Sequence, residues 1–308
     1  MTTRIIDSAS VITTSAKQTS IACSEACIAC GSAVSTTVLN VRQYQVKECL
    51  HCRLQFLSPQ PTDKELARIY GENYFFTKDV GEEEQSQLKR ATARLYLDHI
   101  ACATEGKKHG QLLEIGCGNG YLLFEAMNEG YSIAGIEYSQ SAAGNANSRL
   151  GGVFVRSGNI DLQSLPQAKY DVVIACDVVA QVREPREFIE AVYRTLAPSG
   201  IFYCVTPSLD SFTAKQMRTA WVEYKEEHLY YFNSRTLSDL LTQSGFTNLT
   251  QFKNYKVLSP RYIAAHFNRF PQPVWTQLAS IANKIVPSCL MDMHVKVVAS
   301  GIAVCAQK

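Results

Sequence analysis

Gln111-Leu112-Leu113-Glu114-Ile115-Gly116-Cys117-Gly118-Asn119-Gly120 fixes how the rest of the chain is to be read. Its apolar start reads as a buried strand, its three alternating glycines as a tight turn, and Tyr121–Glu129 beyond it as a helix. Such a turn lets a ligand approach bare backbone, and the helix N-terminus adds oriented N–H groups. Beyond it the same texture continues. Strand candidates Ser132–Glu137, Val153–Arg156, Tyr170–Cys176 and Ile201–Val205 alternate with helical stretches Ser139–Leu150, Pro185–Leu196 and Ser234–Ser244. This alternation predicts an α/β fold with a parallel sheet covered on both faces. Phe246–Asn254 and His294–Ala306 read as two more strands, separated by a helix-rich insertion within about 256–292.

The charges around the turn restrict its ligand. A dinucleotide site wants Gly-x-Gly-x-x-Gly, whereas this chain has Gly-x-Gly-x-Gly preceded by Glu114. A carboxylate there repels a pyrophosphate and attracts a cation. A second carboxylate, Glu137, ends the next strand candidate, where ribose hydroxyls are held in nucleotide-binding sheets. With these residues the chain resembles the class I S-adenosylmethionine-dependent methyltransferases over about residues 90–255. Further matching pieces are Gly158-Asn159-Ile160, Tyr170-Asp171-Val172-Val173, Leu196-Ala197-Pro198-Ser199-Gly200 and Thr206-Pro207. The resemblance implies a doubly wound, Rossmann-like sheet of seven strands with the last antiparallel. It implies that Gly116, Cys117, Gly118 and Gly120 line the methionine end of the cofactor and that Glu114 holds its amine. Glu137, with Tyr138 beside it, is implied for the ribose, Asn159 and Ile160 for the adenine, and Asp177 for the neighbourhood of the methyl group. Where the family often has Glu-His-Val, this chain has Ala180-Gln181-Val182.

Cys27-Ile28-Ala29-Cys30 and Cys49-Leu50-His51-Cys52 are two Cys-x-x-Cys knuckles. Their spacing suits one tetrahedral zinc ion held by four thiolates, a closed and therefore structural site. Cys23 and His51 are spare candidates. The stretch from Cys49 through Arg53-Leu54-Gln55-Phe56 to Pro59-Gln60-Pro61, with Asn73-Tyr74-Phe75, resembles a subgroup with an N-terminal zinc ribbon fused to the methyltransferase domain. Arg53 stands where that subgroup usually has Gly. The domain layout expected is a tail over 1–22, a ribbon over 23–60, a helical linker or lid over 61–110 and a cofactor-binding domain over 111–308. Within the linker, Lys64–Tyr70 and Glu82–Ala103 read as helices.

Methyl transfer from a sulfonium requires the acceptor to be positioned and often deprotonated. Tyr224-Lys225-Glu226-Glu227-His228-Leu229-Tyr230-Tyr231-Phe232 resembles the family's Glu-His-Leu segment. It offers His228 as a base, or as a residue that shapes the loop, with Glu227 to orient it and Tyr224 as a further catalytic candidate. Tyr224, Tyr230, Tyr231 and Trp221 could wall an acceptor pocket or simply pack. His266, His294, Arg261 and Arg269 read as structural or solvated.

Composition limits the partners. Thirty Lys+Arg against 28 Asp+Glu give a net charge of +2, so no global field draws the chain to nucleic acid or anionic lipid. No apolar run reaches the ~20 residues that span a bilayer. Eleven cysteines without a secretory signal point to reduced thiols, metal ligation and a cytoplasmic setting. The reading that follows is transfer to a small-molecule acceptor, most simply a hydroxyl of a sugar or other metabolite. The alternative is a zinc-ribbon RNA base methyltransferase, disfavoured because the ribbon loop Ser32–Glu48 has only Arg42 and Lys47 as bases. A non-enzymatic module is the third reading, opposed by the intact glycine turn and both carboxylates. The sequence fixes no oligomeric state.

Overall fold

The computed structural model describes residues 26–70, 81–104, 106, 110–269 and 273–308. The expected tail over 1–22, Cys23 and Asn73-Tyr74-Phe75 lie outside these residues. The first elements among the described residues are three short strands, β1 (Ser35–Val41), β2 (Tyr44–Cys49) and β3 (Gln55–Ser58). Two helices follow, α1 (Asp63–Ile69) and α2 (Glu82–Ala103). Thr62 starts α1 with a reciprocal cap, its hydroxyl accepting from Glu65 N–H while the Glu65 carboxylate accepts from Thr62 N–H.

Then strand and helix alternate: β4 (Gly110–Ile115), α3 (Tyr121–Asn128), β5 (Tyr131–Glu137), α4 (Gln140–Leu150), β6 (Val155–Ser157), β7 (Tyr170–Cys176), α5 (Pro185–Thr195) and β8 (Leu196–Pro207). After α6 (Phe212–Met217) come a two-residue strand β9 (Tyr230–Tyr231), α7 (Ser234–Gln243) and β10 (Thr247–Leu258). Helices α8 (Pro260–Arg269), α9 (Pro273–Ile285) and α10 (Ser288–Met291) lead to β11 (Val295–Gln307). Strand β10 runs three residues into the span read as insertion, because Lys256, Val257 and Leu258 still pair with β11.

The seven-stranded sheet has the order β10-β11-β8-β7-β4-β5-β6. Strand β11 is antiparallel to both neighbours, and β4 through β8 are mutually parallel. The chain leaves β4 toward one edge and returns through β7 toward the other. The order therefore reverses between β4 and β7, where open α/β sheets bind ligands beyond their carboxyl ends.

Alternation along the strands builds two cores. Leu112, Val172, Ile174 and Tyr203 pack on one face with Tyr96 and Leu97 of α2 and Leu123 of α3. Leu113, Val173, Ala175 and Phe202 pack on the other with Phe188 of α5 and Leu237 of α7. That second core is continuous with Val46 and Leu57 of the N-terminal strands and with Leu54 just before β3. Strand β3 also pairs antiparallel with β9, making a second sheet, β1-β2-β3-β9. The ribbon is thus sewn into the main body.

Candidate active site

The glycine turn follows β4 at the reversal point. Gly116, Gly118 and Gly120 have φ of 74°, 52° and 75°, the left-handed region that glycine enters freely. Space makes the same demand. A Cβ on Gly116 would lie 2.5 Å from Val178 Cγ2, and one on Gly120 would lie 2.8 Å from Ala146 Cβ. The turn hangs on the neighbouring strand: Gly116 N–H donates to the Ile136 carbonyl at 2.8 Å. Glu137, buried at the end of β5, completes it. One of its oxygens accepts from Gly118 N–H at 2.7 Å and the other from Ser139 N–H at 2.8 Å. The residue expected to hold a ribose therefore also braces the turn.

Glu114 is 4% exposed, and its Oε2 has no hydrogen-bond partner among the described residues. Burial, reinforced by the Glu137 charge, raises its pKa well above the usual carboxylate range. A buried acid with an unmatched oxygen beside a glycine turn fits an ammonium ligand, whereas it would reject a phosphate. The orphan oxygen and the cradle that a Cβ would fill both suit S-adenosylmethionine. Cys117 is buried within the turn; Tyr138, 47% exposed, meets Tyr70 edge-on at 5.8 Å. Tyr70 in turn donates to Gln181 at 3.0 Å. Asn159 is exposed and Ile160 is half-buried against the core.

Asp177 follows β7 with φ of 60°, a conformation unusual for a non-glycine residue and common at functional turns. Its carboxylate lies 3.6 Å from Lys256 Nζ at the far end of β10. That carboxylate holds the Lys256 ammonium protonated well beyond the usual lysine range.

His228 is buried at 4% exposure, its Nδ1 2.8 Å from the Glu223 carbonyl oxygen. A carbonyl only accepts, so Nδ1 carries the hydrogen and Nε2 is the basic nitrogen of the neutral ring. The Glu223 carboxylate stands 3.9 Å from the same Nδ1 and 3.2 Å from Lys225 Nζ. Burial pushes the Glu223 pKa up, but the charges of Lys225, His228 and Lys256 outweigh it and hold it down at about 2. The orienting contact expected of Glu227 thus comes from Glu223. The loop curls so that His228 N–H reaches the Lys225 carbonyl, which turns the ring toward Glu223. Glu227 is half-buried, and its charge, after burial, helps raise the Tyr70 pKa.

The aromatic residues are committed to packing. Trp221, Tyr224 and Tyr231 meet edge-on, with Tyr224 5.3 Å from Trp221 and 4.9 Å from Tyr231. The hydroxyls of Tyr230 and Tyr231 donate to the carbonyls of Arg183 and Lys225. Tyr224 donates to Gln55 of β3 at 2.8 Å, and burial with the Glu48 charge pushes its pKa up to about 12. Its expected catalytic hydroxyl is therefore engaged by the ribbon. Arg261 pairs with Asp292, and His294 is exposed; the side chain of Arg269 lies outside the described set.

In the ribbon the sulfurs of Cys27, Cys30, Cys49 and Cys52 lie within 4.8 Å of one another. The closest pairs are Cys27 with Cys52 at 3.5 Å and Cys30 with Cys49 at 3.6 Å. Thiolates ~2.3 Å from a tetrahedral zinc sit at about this mutual separation, so the cluster fits the ion. Exposed His51 takes no part in the cluster. Arg53 adopts φ of 68° directly after the second knuckle, the backbone reason that glycine is usual there.

Glu223, Lys256, Tyr70 and Gln181 were not legible as site residues. Glu223 and Gln181 have a local signal, the one directly before the acidic-aromatic segment of His228, the other within Ala180-Gln181-Val182, where the family often has Glu-His-Val. The others reach the site by long-range folding.

Residues 82–251, more than half of the chain, match the family described as a methyltransferase domain. The chain belongs to this family. A probable S-adenosylmethionine-dependent methyltransferase of Mycolicibacterium smegmatis is 27% identical to this chain over 135 residues, 44% of this chain and 51% of that protein. One of Mycobacterium tuberculosis is 26% identical over 138 residues, 45% and 49% of the two lengths. The chain thus spans about half the length of the curated relatives it matches. A solved structure, a SAM-dependent methyltransferase from Thermotoga maritima, aligns with a TM-score of 0.47 and 21% identity over 74% of this chain and 95% of that one. The expected cofactor, S-adenosylmethionine, agrees with the family. Among the described residues no helix is long and apolar enough to cross a membrane.

Proposed function

We propose that this methyltransferase moves a methyl group from S-adenosylmethionine to a hydroxyl of a small-molecule acceptor such as a sugar, with His228 as general base. Bound S-adenosylmethionine supplies an electrophilic methyl and a sulfur leaving group. In this reading Gly116, Cys117, Gly118 and Gly120 admit the methionine end, and Glu114 receives its ammonium. Glu137 receives the ribose beside Tyr138, Asn159 and Ile160 flank the adenine, and Asp177 stands near the methyl. His228 Nε2 accepts the hydroxyl proton as the oxygen–carbon bond forms, and the Glu223 carboxylate faces the charged imidazolium. Cys27, Cys30, Cys49 and Cys52 hold a structural zinc. Free cysteines among the described residues support a cytoplasmic setting.

The bond between His228 Nδ1 and the Glu223 carbonyl carries the proposal, because it leaves Nε2 as the base. An RNA acceptor is less well supported, since Arg42, one of the two ribbon-loop bases, is paired with Glu226 at 3.0 Å. The test incubates the protein with methyl-labelled S-adenosylmethionine and either a metabolite extract or total RNA. Label should enter the metabolite fraction, with His228→Gln lowering turnover by ~100- to 10,000-fold. Label in RNA would favour the other acceptor, and near-normal turnover in the Gln variant would reduce His228 to a positioning role.

A further inference from the structure

We propose that the metal-filled ribbon is a positioning element of the acceptor site, setting the 223–233 loop that carries His228. The inference rests on the acceptor-side reading of that loop.

The ribbon grips the loop on both sides of His228. Before it, Tyr224 donates to Gln55 Oε1 at 2.8 Å, and Glu226 pairs with Arg42. Gln55 is itself held, its Nε2 donating to Glu48 at 2.9 Å, and Glu48 also pairs with Arg53, directly after Cys52. After it, Leu57 N–H donates to the Leu229 carbonyl at 3.0 Å, and β3 pairs with β9 through Gln55–Tyr231 and Phe56–Tyr230. Asn233 Nδ2 then donates to the carbonyl of Cys52, a metal ligand, at 3.3 Å. The Asn233 Oδ1 meanwhile caps α7 by accepting from Thr236 N–H at 2.8 Å. One side chain thus ties a metal knuckle to the helix that closes the loop.

A two-residue strand has no stability of its own, so β9 exists because β3 is in place. Strand β3 starts directly after the second knuckle, whose turn is closed by Cys49 N–H to the Leu54 carbonyl and Arg53 N–H to the Cys49 carbonyl, so a metal clamping Cys49 and Cys52 fixes how β3 leaves β2. Filling the four-cysteine site therefore orders the frame on which the loop is strung. Such coupling is reciprocal: loosening the loop must weaken metal retention by the same factor.

Two measurements test this without methyl transfer. Amide exchange is compared between zinc-loaded and chelator-stripped full-length protein. Stripping should lower protection of 223–233 by about tenfold or more, together with 44–58, while β4 and β7 keep theirs. Tyr224→Phe keeps the ring and removes one hydroxyl bond. Its zinc affinity, read by competition with a colorimetric chelator, should fall about five- to tenfold, the usual worth of one partly buried hydrogen bond. Exchange changes confined to 26–58, or an unaltered zinc affinity in Tyr224→Phe, would overturn the coupling. Turnover of the His228 variants bears only on the base, so the two readings fail separately.

Discussion

Glu114 holds a buried carboxyl whose Oε2 lacks a partner among the described residues, and its pKa is raised by burial and by Glu137. Two outcomes follow. A ligand ammonium beside it favours the ionised form, so binding of S-adenosylmethionine should lower the Glu114 pKa and release protons over the pH range in which the free protein holds this carboxyl protonated. Calorimetry in buffers of different ionisation enthalpy reads that release, and Glu114→Gln should abolish it. The second outcome concerns the free protein. For a group whose folded pKa is raised, the stability contribution is complete below the ordinary carboxylate pKa and is lost as pH rises through the folded value. Wild type should therefore lose stability relative to Glu114→Gln, by up to about 1.4 kcal/mol per pH unit across that window, in denaturant titrations. At this scale the sequence was informative about residue types and less so about partners. Glu114, Glu137 and His228 stand in recognisable patterns. The contacts of His228 with Glu223 and of Asp177 with Lys256 come from loop curvature and strand ends that no local pattern encodes.

Among the elements, the turn between β4 and α3 has the strictest requirements. Gly120 is left-handed, and a Cβ there would press on Ala146 of α4. Gly120→Ala should force α3 and α4 apart at a cost of about 1–3 kcal/mol, seen as a lower unfolding midpoint with an unchanged denaturant slope. The central parallel strands β4, β7 and β8 were legible because they carry apolar runs buried on both faces, whereas edge strand β6 buries only Val155. The knuckles were legible because their spacing is a coordination requirement. Strand β9 was not, since Tyr230 and Tyr231 carry no period and become a strand only by pairing with Gln55 and Phe56. The extension of β10 to Leu258 has the same cause, pairing with Val295 across the intervening helices.

For the whole molecule, the continuity of the second core matters most. Leu54 and Leu57 of the ribbon lie in one apolar cluster with Phe202 and Leu237, and Arg183 clasps Asp63 across the junction. The sequence layout, with a ribbon segment over 23–60, carries no sign of this continuity, because a shared core leaves no mark on either segment alone. The expected consequence is a single cooperative unfolding transition for the zinc-loaded chain, read by calorimetry; a separate early transition from the ribbon would contradict it. The central claim is that the glycine turn and its two carboxylates bind S-adenosylmethionine. Titration calorimetry with S-adenosylhomocysteine, the product of methyl transfer, tests it most directly. Wild type should bind one equivalent, and Glu137→Ala, which loses the brace on Gly118 together with the ribose acceptor, should bind at least about tenfold more weakly. No binding by wild type, or equal affinity in the variant, would contradict the account.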